Sequence, residues 1–178
     1  METILIFDFD HTLFNARDLR KDLSLLIVGD ENITSELIWE EFSKPKNKIS
    51  KFLQENAQKY VFPKVKENLG KLKSKKILLS YGNLAFQKKK IENSGLYDLF
   101  DEVILTEKNK IKFLPKFYTN NKDKEIFLIN DTYNKRFREN KEIKREIPEI
   151  NILEVDNYQP ELQKNIDNIF KVLFAKKL

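Results

Sequence analysis

Apolar positions follow two rhythms along the chain. Thr3-Ile4-Leu5-Ile6-Phe7 is a short, continuous apolar run rich in β-favouring residues, the pattern of a strand buried on both faces. Four more runs resemble it, at 76–80, 102–106, 125–130 and 150–155. Between them the spacing turns helical. Val65, Leu69 and Leu72 share a face after Pro63, and 84–94 predicts a helix closed by Gly95. Ile111, Leu114 and Phe117 form another short face, and 133–144 is basic and weakly amphipathic. Pro160, Leu162, Ile166, Ile169, Phe170 and Leu173 predict a last helix with Pro160 in its first turn. The stretch 15–60 breaks the alternation. It holds three helix-like pieces, 16–28, 34–42 and 48–60, separated by Gly29-Asp30-Glu31-Asn32 and Lys44-Pro45-Lys46-Asn47.

Strands alternating with helices predict an α/β fold: a central parallel sheet of about five strands joined by right-handed crossovers. Residues 1–14 and 61–178 make its core, and 15–60 a small helical cap. Trp39, Phe42, Phe52 and Tyr60 have near-helical spacing and are expected to form the core of that cap rather than a substrate box.

Composition narrows the classes. A chain of 178 residues suits one compact domain with a small insertion. With 40% hydrophobic residues and only 4 Gly and 5 Pro, neither a disordered nor a collagen-like chain fits. Cysteine is absent, which excludes disulfides, thiolate catalysis and thiolate metal sites. The net charge of +5 would attract phosphorylated ligands, nucleic acid or an anionic surface alike. The lysine-rich stretches 71–76, 88–90 and 135–145 are expected to be solvated helix faces, with nucleic-acid binding as the alternative use. The start of the chain shows no basic leader, and no run approaches the roughly 20 apolar residues of a membrane span. A cytoplasmic protein without a membrane partner is the expectation.

Ligands of an open parallel sheet bind beyond the carboxyl ends of its strands. The first strand runs into Asp8 and Asp10, the second ends at Ser80, and the fourth ends in Asn130-Asp131. One of Lys108, Lys110 and Lys112, after the third strand, would reach the same crevice. This set suits phosphoryl transfer. A carboxylate can attack phosphorus and form an aspartyl phosphate. Mg²⁺ offsets the repulsion between the two anions and takes oxygen ligands, which the carboxylates of Asp8 and Asp131 and the carbonyl of Asp10 could supply. The Asp10 carboxyl can protonate the leaving oxygen and later activate water. Ser80 and a lysine can hold the phosphoryl oxygens. The competing structural roles are solvated turn acids for Asp8 and Asp10, and helix caps for Ser80 and Asp131. His11 is expected to face solvent, with substrate contact as the alternative.

Asp8-Phe9-Asp10-His11-Thr12 resembles the first motif, Asp-x-Asp-x-Thr, of the haloacid dehalogenase-like (HAD) hydrolases. Ile77-Leu78-Leu79-Ser80 is similar to their second motif, Lys110 to the third, and Ile126-Phe127-Leu128-Ile129-Asn130-Asp131 to the fourth. The resemblance covers nearly the whole chain and includes a small helical C1 cap. It implies a Rossmann-like three-layer sandwich and a phosphatase acting on a small phosphorylated metabolite or nucleotide. It implies Asp8 as nucleophile and metal ligand, and Asp10 as general acid/base whose carbonyl binds the metal. Thr12 buttresses the loop around Asp10 and stands with the phosphate-binding group, Ser80 and Lys110 hold the phosphoryl group, and Asp131 binds Mg²⁺. The second acid, Asp10, favours phosphatase over dehalogenase chemistry. Two features depart from the pattern. His11 stands where Gly is frequent, and no acid follows Asp131 among residues 132–136, where Asn134 is the candidate substitute. A catalytically degenerate chain that binds RNA or a protein through its basic surfaces is therefore the alternative.

Overall fold

Five strands form one sheet in which every neighbouring pair is parallel. β1 (Thr3–Phe7) is central. β2 (Lys75–Tyr81) and β4 (Glu125–Asp131) flank it, and β3 (Glu102–Thr106) and β5 (Asn151–Val155) form the edges. The computed structural model describes residues 2–30, 32–133, 137–159 and 163–178, and only the backbone of Phe137. Among the described residues eight α-helices surround the sheet: α1 (Ala16–Val28), α2 (Ser35–Ser43), α3 (Lys48–Asn56), α4 (Val65–Lys71), α5 (Leu84–Ser94), α6 (Lys110–Thr119), α7 (Phe137–Glu146) and α8 (Ile166–Ala175). A 3₁₀ turn at Ala57–Tyr60 ends the third cap helix.

Side-chain alternation along the strands sorts the apolar residues into two layers. Ile4 and Ile6 of β1, with Ile126 and Leu128 of β4, pack against Leu114 of α6 and Ile143 of α7. Leu5 and Phe7, with Phe127 and Ile129, belong to the opposite layer. That layer also holds Leu69 of α4, Ile91 of α5 and Phe170 of α8, so the sheet is covered on both faces, as a parallel sheet requires. It continues without a break into Leu19, Leu23, Ile38, Ile49 and Leu53 of the 15–60 segment. The chain leaves and re-enters the sheet layer side by side. Asn15 N–H donates to the Tyr60 carbonyl (2.7 Å) and Phe62 N–H to the Leu13 carbonyl (3.0 Å).

α7 is described from Phe137 on, and residues 134–136 of the expected basic stretch lie outside the described residues. α8 begins at Ile166, where the Asn165 side chain accepts from Asn168 N–H. Pro160 and Leu162 lie outside the described residues, as does Asn134. Among the described residues no helix is long and apolar enough to cross a membrane.

Candidate active site

Asn109 caps α6 by accepting from Ile111 N–H (3.0 Å), and so fixes Lys110 as the first residue of the helix. From there Lys110 reaches the end of β1. Its ammonium lies 2.7 Å from Asp8 Oδ1 and donates to Asn130 Oδ1 at 2.6 Å. Asp8 and Asn130 continue the alternation of Ile4–Ile6 and Ile126–Leu128, so both face α6 and α7. The Thr12 hydroxyl donates to Asp8 Oδ2 (3.2 Å). Asn130 in turn donates to Asn140 Oδ1 (2.6 Å) and to Glu139 Oε2 (3.3 Å), and Glu139 lies 3.9 Å from the Lys110 ammonium. Lys110 is fully buried, while Lys108 and Lys112 are exposed, so the geometry selects Lys110 from the three candidates. Sequence reading finds no acid near Asp131 because it looks only at 132–136; α7 folds back and brings Glu139 to the cluster.

Asp10 sits in a different network. Lys90 Nζ donates to its Oδ1 and Oδ2 at 2.6 and 2.8 Å, and Gln87 Nε2 donates to Oδ2 at 2.9 Å. Gln87 and Lys90 are one turn apart on α5, whose start is set by Asn83 accepting from Phe86 N–H. The expectation of a solvated face for 88–90 is wrong at Lys90, which is 3% exposed. Its ammonium lies over the rings of Phe86, Phe9 and Phe14 at 5.2, 5.6 and 5.7 Å, cation–π contacts that offset part of its desolvation. The signal was present: Lys90 stands four residues after Phe86, on the face of α5 that points inward. Burial alone would raise the Asp10 pKa. The Lys90 charge, the Gln87 amide and the neighbouring His11 more than offset this, and the carboxyl is held below its ordinary range. Asp10 is therefore ionised at neutral pH in this state.

The turn after β1 is tight. Leu13 and Phe14 N–H groups both donate to the Phe9 carbonyl, and His11 takes the left-handed conformation (φ 65°). His11 does not simply face solvent. Its ring lies 4.3 Å from that of Tyr133, and its Nδ1 is 2.9 Å from the Tyr158 hydroxyl. Tyr158 donates to Asn15 Oδ1 (3.0 Å), which also accepts from Asp18 N–H. With its one proton used, the Tyr158 oxygen can accept from His11 Nδ1. Asn157 Nδ2 donates to the carbonyls of His11 and Thr12 (3.0 Å each), tying the loop after β5 to the turn. Sequence reading missed this support, because Asn157 and Tyr158 belong to no motif.

Asp10 and His11 open onto a cavity of about 370 Å³ between the turn, α5 and helices α1 and α2. Trp39 lines it together with Ile38, Arg17 and Arg20, so Trp39 is not confined to the cap core as expected. Phe42, Phe52 and Tyr60 do pack into the core, Phe42 edge-on to Phe86 (5.4 Å). Asp8, Thr12, Ser80, Lys110 and Asp131 are all buried, and none of them lines the cavity.

Asp131 ends β4, two residues past Ile129, whose carbonyl accepts from Asp8 N–H (2.9 Å). Asp131 Oδ1 accepts from Tyr133 N–H (2.8 Å), and Ser80 lies in β2 just before its last residue. The three strand ends are thus neighbours, with Asp8, Thr12 and Lys110 directly joined and Asp10 in the second network. Among the described residues no three His, Asp or Glu side chains group so as to hold a metal ion unaided. The candidate donors, the Asp8 and Asp131 carboxylates and the Asp10 carbonyl, are hard oxygens. That set fits Mg²⁺, which keeps several waters and needs few protein ligands.

No protein-family model and no curated protein matches the chain. Solved structures do. A haloacid dehalogenase-like hydrolase of Burkholderia xenovorans LB400 superposes with a TM-score of 0.67 at 16% identity, covering 96% of this chain and 95% of its own. The HAD-hydrolase YfnB of Bacillus subtilis, bound to magnesium, gives 0.63 at 11% identity, with 97% and 98% covered. A β-phosphoglucomutase of Thermotoga maritima gives 0.61 at 15% identity, with 98% and 99% covered. Five parallel strands in this order, with helices on both faces and a helical segment after β1, give this chain the fold of the haloacid dehalogenase-like hydrolases.

Proposed function

We propose that this chain is a magnesium-dependent phosphohydrolase acting on a small phosphorylated metabolite or nucleotide through an aspartyl phosphate on Asp8. The observation that carries this reading is the setting of Asp8: a buried carboxylate at the end of the central strand, held between the Lys110 ammonium and the Thr12 hydroxyl. Such a group is fixed in direction and paired with a cation, as suits a nucleophile. A solvated turn acid would have neither property.

In the first step an Asp8 oxygen forms a bond to phosphorus while the bond from phosphorus to the leaving oxygen breaks. Asp10 supplies the proton that the leaving oxygen takes up. In the second step Asp10 accepts a proton from water, whose oxygen bonds to phosphorus, and the bond to Asp8 breaks to release inorganic phosphate. Asp10 is held ionised by Lys90, which suits the second step. For the first, the carboxyl must leave Lys90 and take up a proton from solvent before it faces the leaving oxygen. Lys110 and Ser80 bind the phosphoryl oxygens, where negative charge spreads in the transition state. Asp8, Asp131 and the Asp10 carbonyl would hold Mg²⁺, which supplies the charge that offsets repulsion between carboxylate and phosphate.

The test is phosphate release from p-nitrophenyl phosphate with and without Mg²⁺, for wild type and Asp8→Asn. The expected result is Mg²⁺-dependent turnover that falls by about a thousandfold or more in the variant. Equal rates in the two proteins would refute the assignment.

A further inference from the structure

The cavity beside Asp10 lies where the leaving group of a phosphohydrolase substrate would sit, and its charges are unbalanced. Of its charged lining residues, Asp10, Arg17, Arg20 and Lys90, three are cations and one is an acid. Lys90 is committed to Asp10. Arg17 and Arg20 therefore line the cavity with no acid of the lining to match their charge. We propose, on the basis of the phosphohydrolase reading, that Arg17 and Arg20 bind a second anionic group on the substrate, a carboxylate or a second phosphate on the part that leaves.

Both arginines are placed by the fold. Asn15 accepts from Asp18 N–H (3.1 Å) and so sets the start of α1, and residues 17 and 20 then share a face. The Arg17 guanidinium lies 4.2 Å over the Tyr158 ring, and that ring is held by His11 and Asn15. Its ion pair with Asp18 (3.3 Å) joins two half-exposed side chains, so water screens it heavily and Arg17 keeps most of its pull on a ligand. Arg20 is pinned by a neutral partner. Its Nε and one Nη donate to the Ile33 carbonyl at 3.1 and 2.6 Å, which orders the side chain without cancelling its charge. An ordered guanidinium loses little entropy on binding and presents paired donors to a carboxylate or phosphate. Facing them, Ile38 and Trp39 offer an apolar wall. Such a wall lowers the local dielectric and strengthens attraction to an anion. A small body with charge at both ends fits this arrangement; a neutral alcohol leaves the arginines unmatched.

Trp39 is the only tryptophan of the chain, so its fluorescence reports on this cavity. The experiment titrates the protein, in EDTA so that no turnover occurs, with three matched probes. These are propyl phosphate, its carboxylate-bearing analogue 3-phosphooxypropionate, and propane-1,3-diol bisphosphate. Calorimetry of the same samples gives a second reading of affinity. The two doubly anionic probes should bind about tenfold more tightly than propyl phosphate, as one charge-assisted contact allows, and less so at high salt. Arg17→Gln and Arg20→Gln should each reduce that preference, and Lys73→Gln, which removes an exposed charge elsewhere, should retain it. The better of the carboxylate and bisphosphate probes identifies the second group. Equal binding of all three probes, no binding of the anionic ones, or a preference that survives both arginine substitutions would overturn the proposal. Selective binding in EDTA with no phosphate release in Mg²⁺ would instead refute hydrolysis and leave the anion site standing.

Discussion

Two lysine–aspartate pairs, two residues apart at their acids, lie on opposite sides of the central strand and are built differently. Lys110 and Asp8 are buried in a polar cluster with Thr12, Asn130, Asn140 and Glu139. Lys90 and Asp10 are surrounded by phenylalanine rings and open on one side to the cavity. The first arrangement fixes a carboxylate that must not move. The second holds one that can exchange its partner for a ligand. A buried ion pair adds little stability over an apolar pair of the same shape, but removing one member is costly, because the other charge stays behind unpaired.

That asymmetry gives the largest expected effect. Lys110→Met leaves Asp8 buried without its cation and should lower the unfolding free energy in urea by about 4 kcal/mol. Adding Asp8→Asn to it should recover a good part of the loss, because the orphaned charge is gone. A Lys110→Met protein as stable as wild type would show that the sealed pair is not as described. Lys90→Met should cost less, about 2 kcal/mol, because Asp10 can regain water from the cavity. Its pH dependence has a definite sign. The folded Asp10 carboxyl lies below its ordinary value of 3.8, so the stability it contributes is present above that value and is lost as pH falls through the lower folded one. The gap between wild type and Lys90→Met should therefore be full at neutral pH and close in acid. A gap that widened in acid would contradict the pairing.

Smaller effects sharpen the contrast. Gly82 has φ 145°, and a Cβ there would meet Gln87 Nε2 at 2.9 Å. Gly82→Ala should cost about 1 kcal/mol and push Gln87 off Asp10, which an altered chemical shift of the Gln87 side-chain amide would report. Far from both pairs, Tyr60 donates to Asp22 at 2.5 Å and lowers the Asp22 pKa. The Asp22 side chain is 37% exposed and screened by water, so Tyr60→Phe should cost only about 0.5 kcal/mol in urea unfolding at pH 7. The part of this loss that comes from ionised Asp22 should fade in acid, since a lowered carboxyl pKa stabilises only above the folded titration point.

The sheet was legible in the sequence, because a strand buried on both faces needs an unbroken apolar run, and runs such as Ile4–Phe7 and Ile126–Ile129 have no other good use. The three helices of 15–60 were legible from their breaks, with Gly29 and the Lys44–Asn47 stretch marking the ends. Asp8 and Lys110 could be singled out because strand ends and helix starts are local features. Lys90, Gln87 and Glu139 could not be found by motif. Each is brought in by the rotation of a helix whose neighbours in sequence are solvated. Lys90 in particular looks like Lys88 and Lys89 until the inward face of α5 is drawn through Phe86 and Ile91. The arginine face of α1 and the position of Trp39 in the cavity wall depend on how α1 and α2 pack over α5, which no single segment encodes.

The central claim, that Asp8 attacks phosphorus, is tested most directly by acid-quenching the protein during turnover of an aryl phosphate in Mg²⁺ and locating the bound phosphoryl group by peptide mass spectrometry. The account predicts phosphorylation of Asp8, absent from Asp8→Asn. Turnover with the phosphoryl group on another residue, or with none retained and Asp8→Asn still active, would contradict it.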